Sequence, residues 1–321
     1  MKKSGQEESG TPRKPVATRD AYGEVLLELG RERPDIVVLD ADLSGSTKTG
    51  KFAKAFPERF YNLGISEQDL IGTASGLSLA GKLPFASTFA VFETGRAWEQ
   101  IRQTVCYSNL NVKLVATHSG ITVGEDGASH QAIEDIALMR VLPNMTVIVP
   151  SDAEETKQAV RAAAAYYGPV YVRLGRAKVP AVMPVDYEFR IGKAFSFHIG
   201  KDVNIVATGI AVAAALDASA SLRNDGIDAG VINMSTIKPL DEDMLLNAST
   251  AGRLIVTVEE HSTIGGLGSA VSEFLSGARP TRIVRVGIRD DFGCSGKPEE
   301  LLDLYGLTAP KIAKTVKESL T

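Results

Sequence analysis

Residues 145–174, MTVIVPSDAEETKQAVRAAAAYYGPVYVRL, read as strand, helix, strand. MTVIVP (145–150) and PVYVRL (169–174) are short, apolar and rich in β-branched residues, the composition of strands buried on both faces. The stretch between them, 152–167, is helix-compatible. Ser151 and Glu154 have the spacing of a capping box at its start, and Gly168 supplies a stop. Strands separated by a helix of that length pair in parallel through a crossover, which puts helices on the faces of the sheet. Working outward, DIVVLD (35–40) and KLVATH (113–118) are further strands of the same kind. A second helix is expected over 67–80, with Ser66 and Asp69 at capping-box spacing and Gly81 as its stop. The fold class that follows is α/β, an open and mostly parallel sheet covered on both faces.

Between Lys178 and Ile199 the rhythm lapses into VPAVMPVDYEFRIGKAFSFHI, with two prolines and no sustained period. It resumes as VNIVATG (203–209), a helix at 211–223, AGVINM (229–234), RLIVTVE (253–259), a helix at 268–275 and RIVRVGI (282–288). The expected organisation is a disordered tail over 1–14, a first α/β domain over 15–185 and a smaller one over 186–321. With 321 residues and 44% hydrophobic residues, the chain can supply two medium domains with separate cores.

A formal net charge of −4 leaves no global positive field, so nucleic acid is not an expected partner and any anion site must be local. Cys106 and Cys294 lie far apart without metal-ligand spacing, as expected of packed or idle thiols in a reducing compartment. No apolar run is long enough to cross a bilayer. The opening MKKSGQEESGTPRK lacks the hydrophobic stretch of a secretory signal, so the expected setting is the cytoplasm, with no membrane partner.

Unusual polar residues gather between Asn62 and His130. Gly64-Ile65-Ser66-Glu67-Gln68 puts a carboxylate in the first turn of an otherwise apolar helix. Glu67 there either complements the helix N-terminus or points into a cleft. Phe89 and Phe92, three apart, are core residues or a face for a flat ring. Thr117-His118-Ser119-Gly120 and Gly124-Glu125-Asp126-Gly127-Ala128-Ser129-His130-Gln131 hold two of the chain's four histidines, and the first follows a strand end, where open α/β folds place ligands. Imidazole suits proton transfer near neutral pH. Gly265-Gly266-Leu267-Gly268 lacks both the dinucleotide spacing and a phosphate-loop lysine.

NLGISEQDLIGTASGLSLAGKLPFASTF (62–89) resembles the pyrimidine-binding domain of the transketolase family. The resemblance runs from about Val16 to the C-terminus and corresponds to the latter part of a full-length transketolase. It implies thiamine diphosphate as cofactor, with Glu67 on the aminopyrimidine, Phe92 stacked on that ring, Phe89 beside it and Asp42 close to the cofactor. It further implies His118 and His130 as catalytic groups, the first meeting the sugar and the second transferring protons. Asp126 would read a hydroxyl, and Arg19, Ser46 and Arg176 would grip the phosphate of a sugar phosphate with His118 nearby. The second domain then serves mainly assembly, with Glu259, Glu260 and His261 structural. The family's front domain, which holds the diphosphate through Mg2+ or Ca2+, has no counterpart here, and no metal site is expected in this chain. The implied partners are a diphosphate-binding N-terminal subunit and a second copy of this chain as a homodimer core. Deoxyxylulose-phosphate synthase, the beta subunit of a 2-oxo acid dehydrogenase and an inactive assembly module are the alternatives. Thr117-His118, where the synthase has an Asp-Arg pair, and the Gly-Glu-Asp-Gly…His-Gln pattern favour transketolase.

Overall fold

A computed structural model describes residues 13–321, so of the expected tail over 1–14 all but Arg13 and Lys14 lies outside the described residues. A seven-stranded sheet runs in the order Thr236–Lys238, Thr146–Ile148, Val170–Arg173, Lys113–Ala116, Leu83–Ser87, Ile36–Asp40, Phe60–Asn62. All pairings are parallel except that of the edge strand Thr236–Lys238. Helices Thr18–Glu32 and Ala153–Ala165 cover one face, packing Val25, Leu26 and Leu29 with Ala159, Val160 and Ala163 against Val38, Val115 and Val172. Five further strands form a second sheet in the order Ile283–Ile288, Leu254–Ser262, Val203–Ala207, Ala229–Asn233, Phe195–His198, parallel except at Phe195–His198. The mostly parallel α/β architecture is the one expected from the strand rhythm.

Each unit has a buried cluster largely its own, and a third cluster spans both. This third cluster joins Leu39, Ile71, Leu114 and Val147 of the first sheet's other face to Val206, Ile232, Ile255 and Leu275 of the second unit. Thr236–Lys238, from the second half of the sequence, also completes the first sheet. The reason is geometric: a parallel sheet is apolar on both faces, and helices of this chain cover only part of the second face. The rest is buried against the second unit.

Neither expected capping box forms. Helix Ala153–Ala165 is capped by Asp152, whose Oδ1 accepts the Glu155 N–H at 2.9 Å, while the Glu155 carboxylate accepts the Ser151 N–H at 2.6 Å and its hydroxyl at 2.7 Å. The cap is therefore Asp152, one residue beyond the expected Ser151, and Glu155 closes back on Ser151 rather than on the cap's own N–H. At helix Glu67–Leu79 the Ser66 side chain makes no capping bond, and Asp69 instead accepts from the Thr73 hydroxyl at 3.3 Å. Gly81, at φ +81°, does follow that helix's end in the left-handed conformation.

Candidate active site

The parallel strands deliver the candidate residues at their carboxyl ends. Asp42 and Ser46 follow Ile36–Asp40, Glu67 opens the helix after Phe60–Asn62, and Phe89 and Phe92 follow Leu83–Ser87. His118 follows Lys113–Ala116 and Arg176 follows Val170–Arg173. Arg19 lies in the first turn of Thr18–Glu32, whose start is tied to Gly175 by the Thr18 hydroxyl, which accepts the Gly175 N–H at 2.8 Å.

A continuous chain of contacts connects most of them. Glu67, only 6% exposed, accepts from Arg96 at 3.0 Å. The Arg96 guanidinium carbon lies 4.3 Å from the centroid of the Phe92 ring. Phe92 stacks on Phe89 at 5.8 Å and 13°, and His130 stands edge-on to Phe92 at 5.4 Å. Phe89 in turn lies on the His118 ring at 3.7 Å. Arg96 is absent from the sequence reading. The signal for it was its position four residues after Phe92 on one short helix, Ala90–Arg96, which brings the two side chains to one face.

His118 is buried, in the left-handed region at φ +58°, and both ring nitrogens are engaged. Nε2 lies 3.1 Å from Arg19 Nη1 and Nδ1 lies 2.9 Å from the Thr117 hydroxyl. A guanidinium only donates, so Nε2 is the acceptor and the proton sits on Nδ1. Burial first, then Arg19, Arg176 and Lys48, push its pKa down to about 3 and keep the ring neutral. Arg19 also donates to the Ser46 carbonyl at 3.1 Å, so Ser46 reaches this cluster through its backbone. Arg176 donates to the Val123 carbonyl at 2.5 Å and pairs with Asp126 at 3.5 Å and Glu125 at 3.7 Å. Burial and repulsion from Arg176 both lower the pKa of Arg19. Cationic side chains thus converge on one neutral imidazole in a net acidic protein, with Arg176 also held by Asp126 and Glu125.

Asp42 stands apart from this chain of contacts. It is exposed, at φ +62°, and its N–H and carboxylate both bond the Asn62 side chain, at 3.0 Å and 2.9 Å. The glycine-rich turn at 265–268 carries an internal anion: the Glu259 carboxylate accepts the Leu267 and Gly268 N–H groups at 2.6 and 2.8 Å, and a Cβ at Gly266 would overlap it. That helix N-terminus is filled by the protein itself, and burial pushes Glu259 up to about 7. Cys106 is buried and its thiol pushed up to about 12 by desolvation. No three metal-ligating side chains gather among the described residues, and no helix among them is long and apolar enough to cross a membrane.

Fold and site together define an α/β protein whose sheet presents, at its strands' carboxyl ends, a carboxylate, an aromatic face and a cluster of cationic side chains around an imidazole. Residues 14–182 match the family "Transketolase, pyrimidine binding domain" and residues 192–312 match "Transketolase, C-terminal domain". A Methanocaldococcus jannaschii protein, provisionally named a transketolase C-terminal section, is 52% identical over 94% of this chain and 96% of its own length. The 6-deoxy-6-sulfo-D-fructose transketolase subunit of a Clostridium species is 40% identical over 94% of this chain and 93% of its own. A solved structure titled "Split gene transketolase, inactive beta4 tetramer" is 54% identical, superposes with a TM-score of 0.87 and covers 96% of this chain and 99% of that one. The chain belongs to the transketolase family, whose members depend on thiamine diphosphate.

Proposed function

We propose that this chain is the pyrimidine-binding half of a split transketolase, which with a diphosphate-binding partner moves a two-carbon ketol unit from a ketose phosphate to an aldose phosphate. The observation that carries the reading is the bridge formed by Arg96. A planar, N–H-bearing group lies over Phe92 while donating to Glu67. A flat nitrogen heterocycle meets the same aromatic face and the same carboxylate, so these residues fit the aminopyrimidine of thiamine diphosphate once Arg96, an exposed side chain, swings aside. When bound, that cofactor supplies the carbon nucleophile that accepts the ketol unit. Glu67 holds a proton against the ring nitrogen facing it, and Phe92, backed by Phe89, fixes the plane and excludes water. Asp42, at the same sheet edge, lies on the cofactor's side.

Sugar recognition falls to the cationic cluster. Arg19 and Arg176 hold the terminal anion in their planar forks, with Ser46 orienting Arg19 and Asp126 reading a hydroxyl. Neutral His118, with Nε2 accepting from Arg19, ties that guanidinium to the sugar's side of the site, and His130, beside the aromatic pair, moves protons at the sugar's reacting oxygen. A Clostridium relative named for a sulfo-sugar is consistent with a clamp that reads a tetrahedral anion rather than phosphorus itself. The diphosphate and its Mg2+ or Ca2+ belong on the partner subunit, and the working assembly is a cytoplasmic heterotetramer built on a homodimer of this chain. Support for a partner comes from the relative named as a C-terminal section and from the inactive tetramer made of one kind of subunit.

The test is a titration. The purified chain with thiamine diphosphate and magnesium is expected to show no ketol transfer until the diphosphate-binding subunit is added. In the assembled enzyme Arg176→Ala should weaken phosphorylated donors far more than unphosphorylated ones, since a charge-assisted hydrogen bond contributes about 1.5–3 kcal/mol. Normal turnover by the chain alone would overturn the split reading, and equal losses for both donor types would remove Arg176 from the clamp.

A further inference from the structure

The loop between His118 and His130 is braced from the second unit, and the brace is centred on a carboxylate that the functional reading leaves unused. Glu260 lies on the strand Leu254–Ser262, is buried, and directs Oε1 to the Thr122 N–H at 2.6 Å. Its carboxyl group sits so closely against Gly120, at φ +75°, that a Cβ there would overlap it. Behind it, Arg173 donates to the Glu260 carbonyl at 3.0 Å, to the Ala132 carbonyl at 3.1 Å and to Asp135 at 2.7 Å. Gln131 adds a second strap, donating to the Ile121 carbonyl at 3.1 Å and to the Cys294 carbonyl of the second unit at 2.8 Å. Ile121, Thr122 and Val123 are buried as a result, and Val123 is the residue whose carbonyl receives Arg176.

We infer that Glu260 is a positioning residue for sugar binding: by holding the Thr122 N–H it sets the loop that carries Asp126 and receives Arg176. Burial disfavours its charged form and pushes its pKa up to about 7, against the attraction of Arg173 and the Thr122 N–H. A purely structural site would be better served by an apolar side chain over Gly120. Retaining a carboxylate there makes sense for an acceptor that must fix one backbone N–H. The second unit therefore does more than assemble: it supplies the outer wall that keeps the hydroxyl reader in register with the anion clamp. This inference rests on the proposed sugar site, so its test carries one arm independent of catalysis.

Amide hydrogen exchange on the full chain compares wild type with Glu260→Gln, Glu260→Ala and a control, Glu259→Gln, whose carboxylate serves the neighbouring helix instead. Exchange across residues 119–127, relative to the strand Lys113–Ala116, should rise in the order wild type, glutamine, alanine, reaching about tenfold or more for alanine, because a charge-assisted bond is lost. In the assembled enzyme the KM for a sugar phosphate should rise about tenfold for alanine with kcat within about twofold, the signature of lost positioning for binding. Loop exchange no faster than in the Glu259→Gln control overturns the inference, and so does a loosened loop with an unchanged KM. Should the alanine chain fail to fold, the glutamine variant decides alone, and exchange equal to wild type overturns it. If wild type itself proves unable to transfer ketol units with a partner, the proposed function falls while the exchange arm still tests the brace.

Discussion

Glu67 carries two of the site's opposing demands in one side chain: it is buried, yet among the described residues its carboxylate has Arg96 as its one hydrogen-bond partner, a side chain that is itself exposed. A carboxylate in that position costs desolvation unless its bond is replaced by another of equal strength when Arg96 leaves. A ring nitrogen that shares its proton meets that demand, whereas a helix-terminus role does not require burial. Glu67→Gln is therefore expected to slow deuterium exchange at the cofactor's reactive carbon in the assembled enzyme by about a hundredfold to ten-thousandfold, the usual range for a lost acid/base group. The chain's own thermal midpoint should barely move. A loss below about threefold would return Glu67 to an electrostatic role at the helix N-terminus.

At the scale of elements, the helix Ala153–Ala165 shows how one cap ties the fold together. Asp152 Oδ1 accepts from Glu155, while Oδ2 accepts the N–H groups of Val182 and Met183 at 2.8 and 2.9 Å. Glu155 continues the network to Tyr187 at 2.7 Å and to Asn233 of the second sheet at 2.9 Å. Asp152→Ala removes the cap and strands two backbone donors, so unfolding in urea should show a loss of about 2–4 kcal/mol; less than about 1 kcal/mol would mean that water takes over both donors. The same helix marks the limit of sequence reading. Ser151 and Glu154 have the right spacing for a box, but so do Asp152 and Glu155, and only the backbone register chooses between them. The long apolar runs were legible because burial on both faces demands them. Thr236–Lys238 and Phe60–Asn62 were not, since three residues at a sheet's edge have little pattern, and neither were Phe195–His198 nor the central Leu83–Ser87, whose LPFAS carries a proline and no β-branched residue. The histidines of the candidate site stood out as unusual residues near a strand end, whereas Glu67, Phe89 and Phe92 gained a functional reading only from the family resemblance. Arg96 and Glu260 were not legible: the first reads as an ordinary surface charge, and the second acts on a backbone N–H 138 positions away.

Taken whole, the molecule buries its second unit against the first and leaves the face around Glu67 open. Ile65 is 77% exposed, and with Ser66, Gln68, Asp69 and Arg96 it rims a hollow beside the Glu67 carboxylate. A lone exposed aliphatic is ordinary on a protein surface, so the case for covering Ile65 rests on its place at the mouth of the hollow beside Glu67. In the proposed assembly the cover is the diphosphate-binding subunit, because the rest of the cofactor must lie on the far side of Glu67 and Phe92. Covering Ile65 contributes about 1.5–3 kcal/mol, and a charge there must be desolvated besides. Ile65→Arg should therefore weaken partner assembly at least about tenfold, read by sedimentation of the mixed subunits, while the melting temperature of the chain alone stays unchanged because nothing in its own fold is packed on that side chain. Activity should return at high partner concentration, since Glu67, Phe92 and the cationic cluster are untouched. Assembly as tight as wild type would place the partner on another face and separate the opening at Glu67 from the subunit boundary.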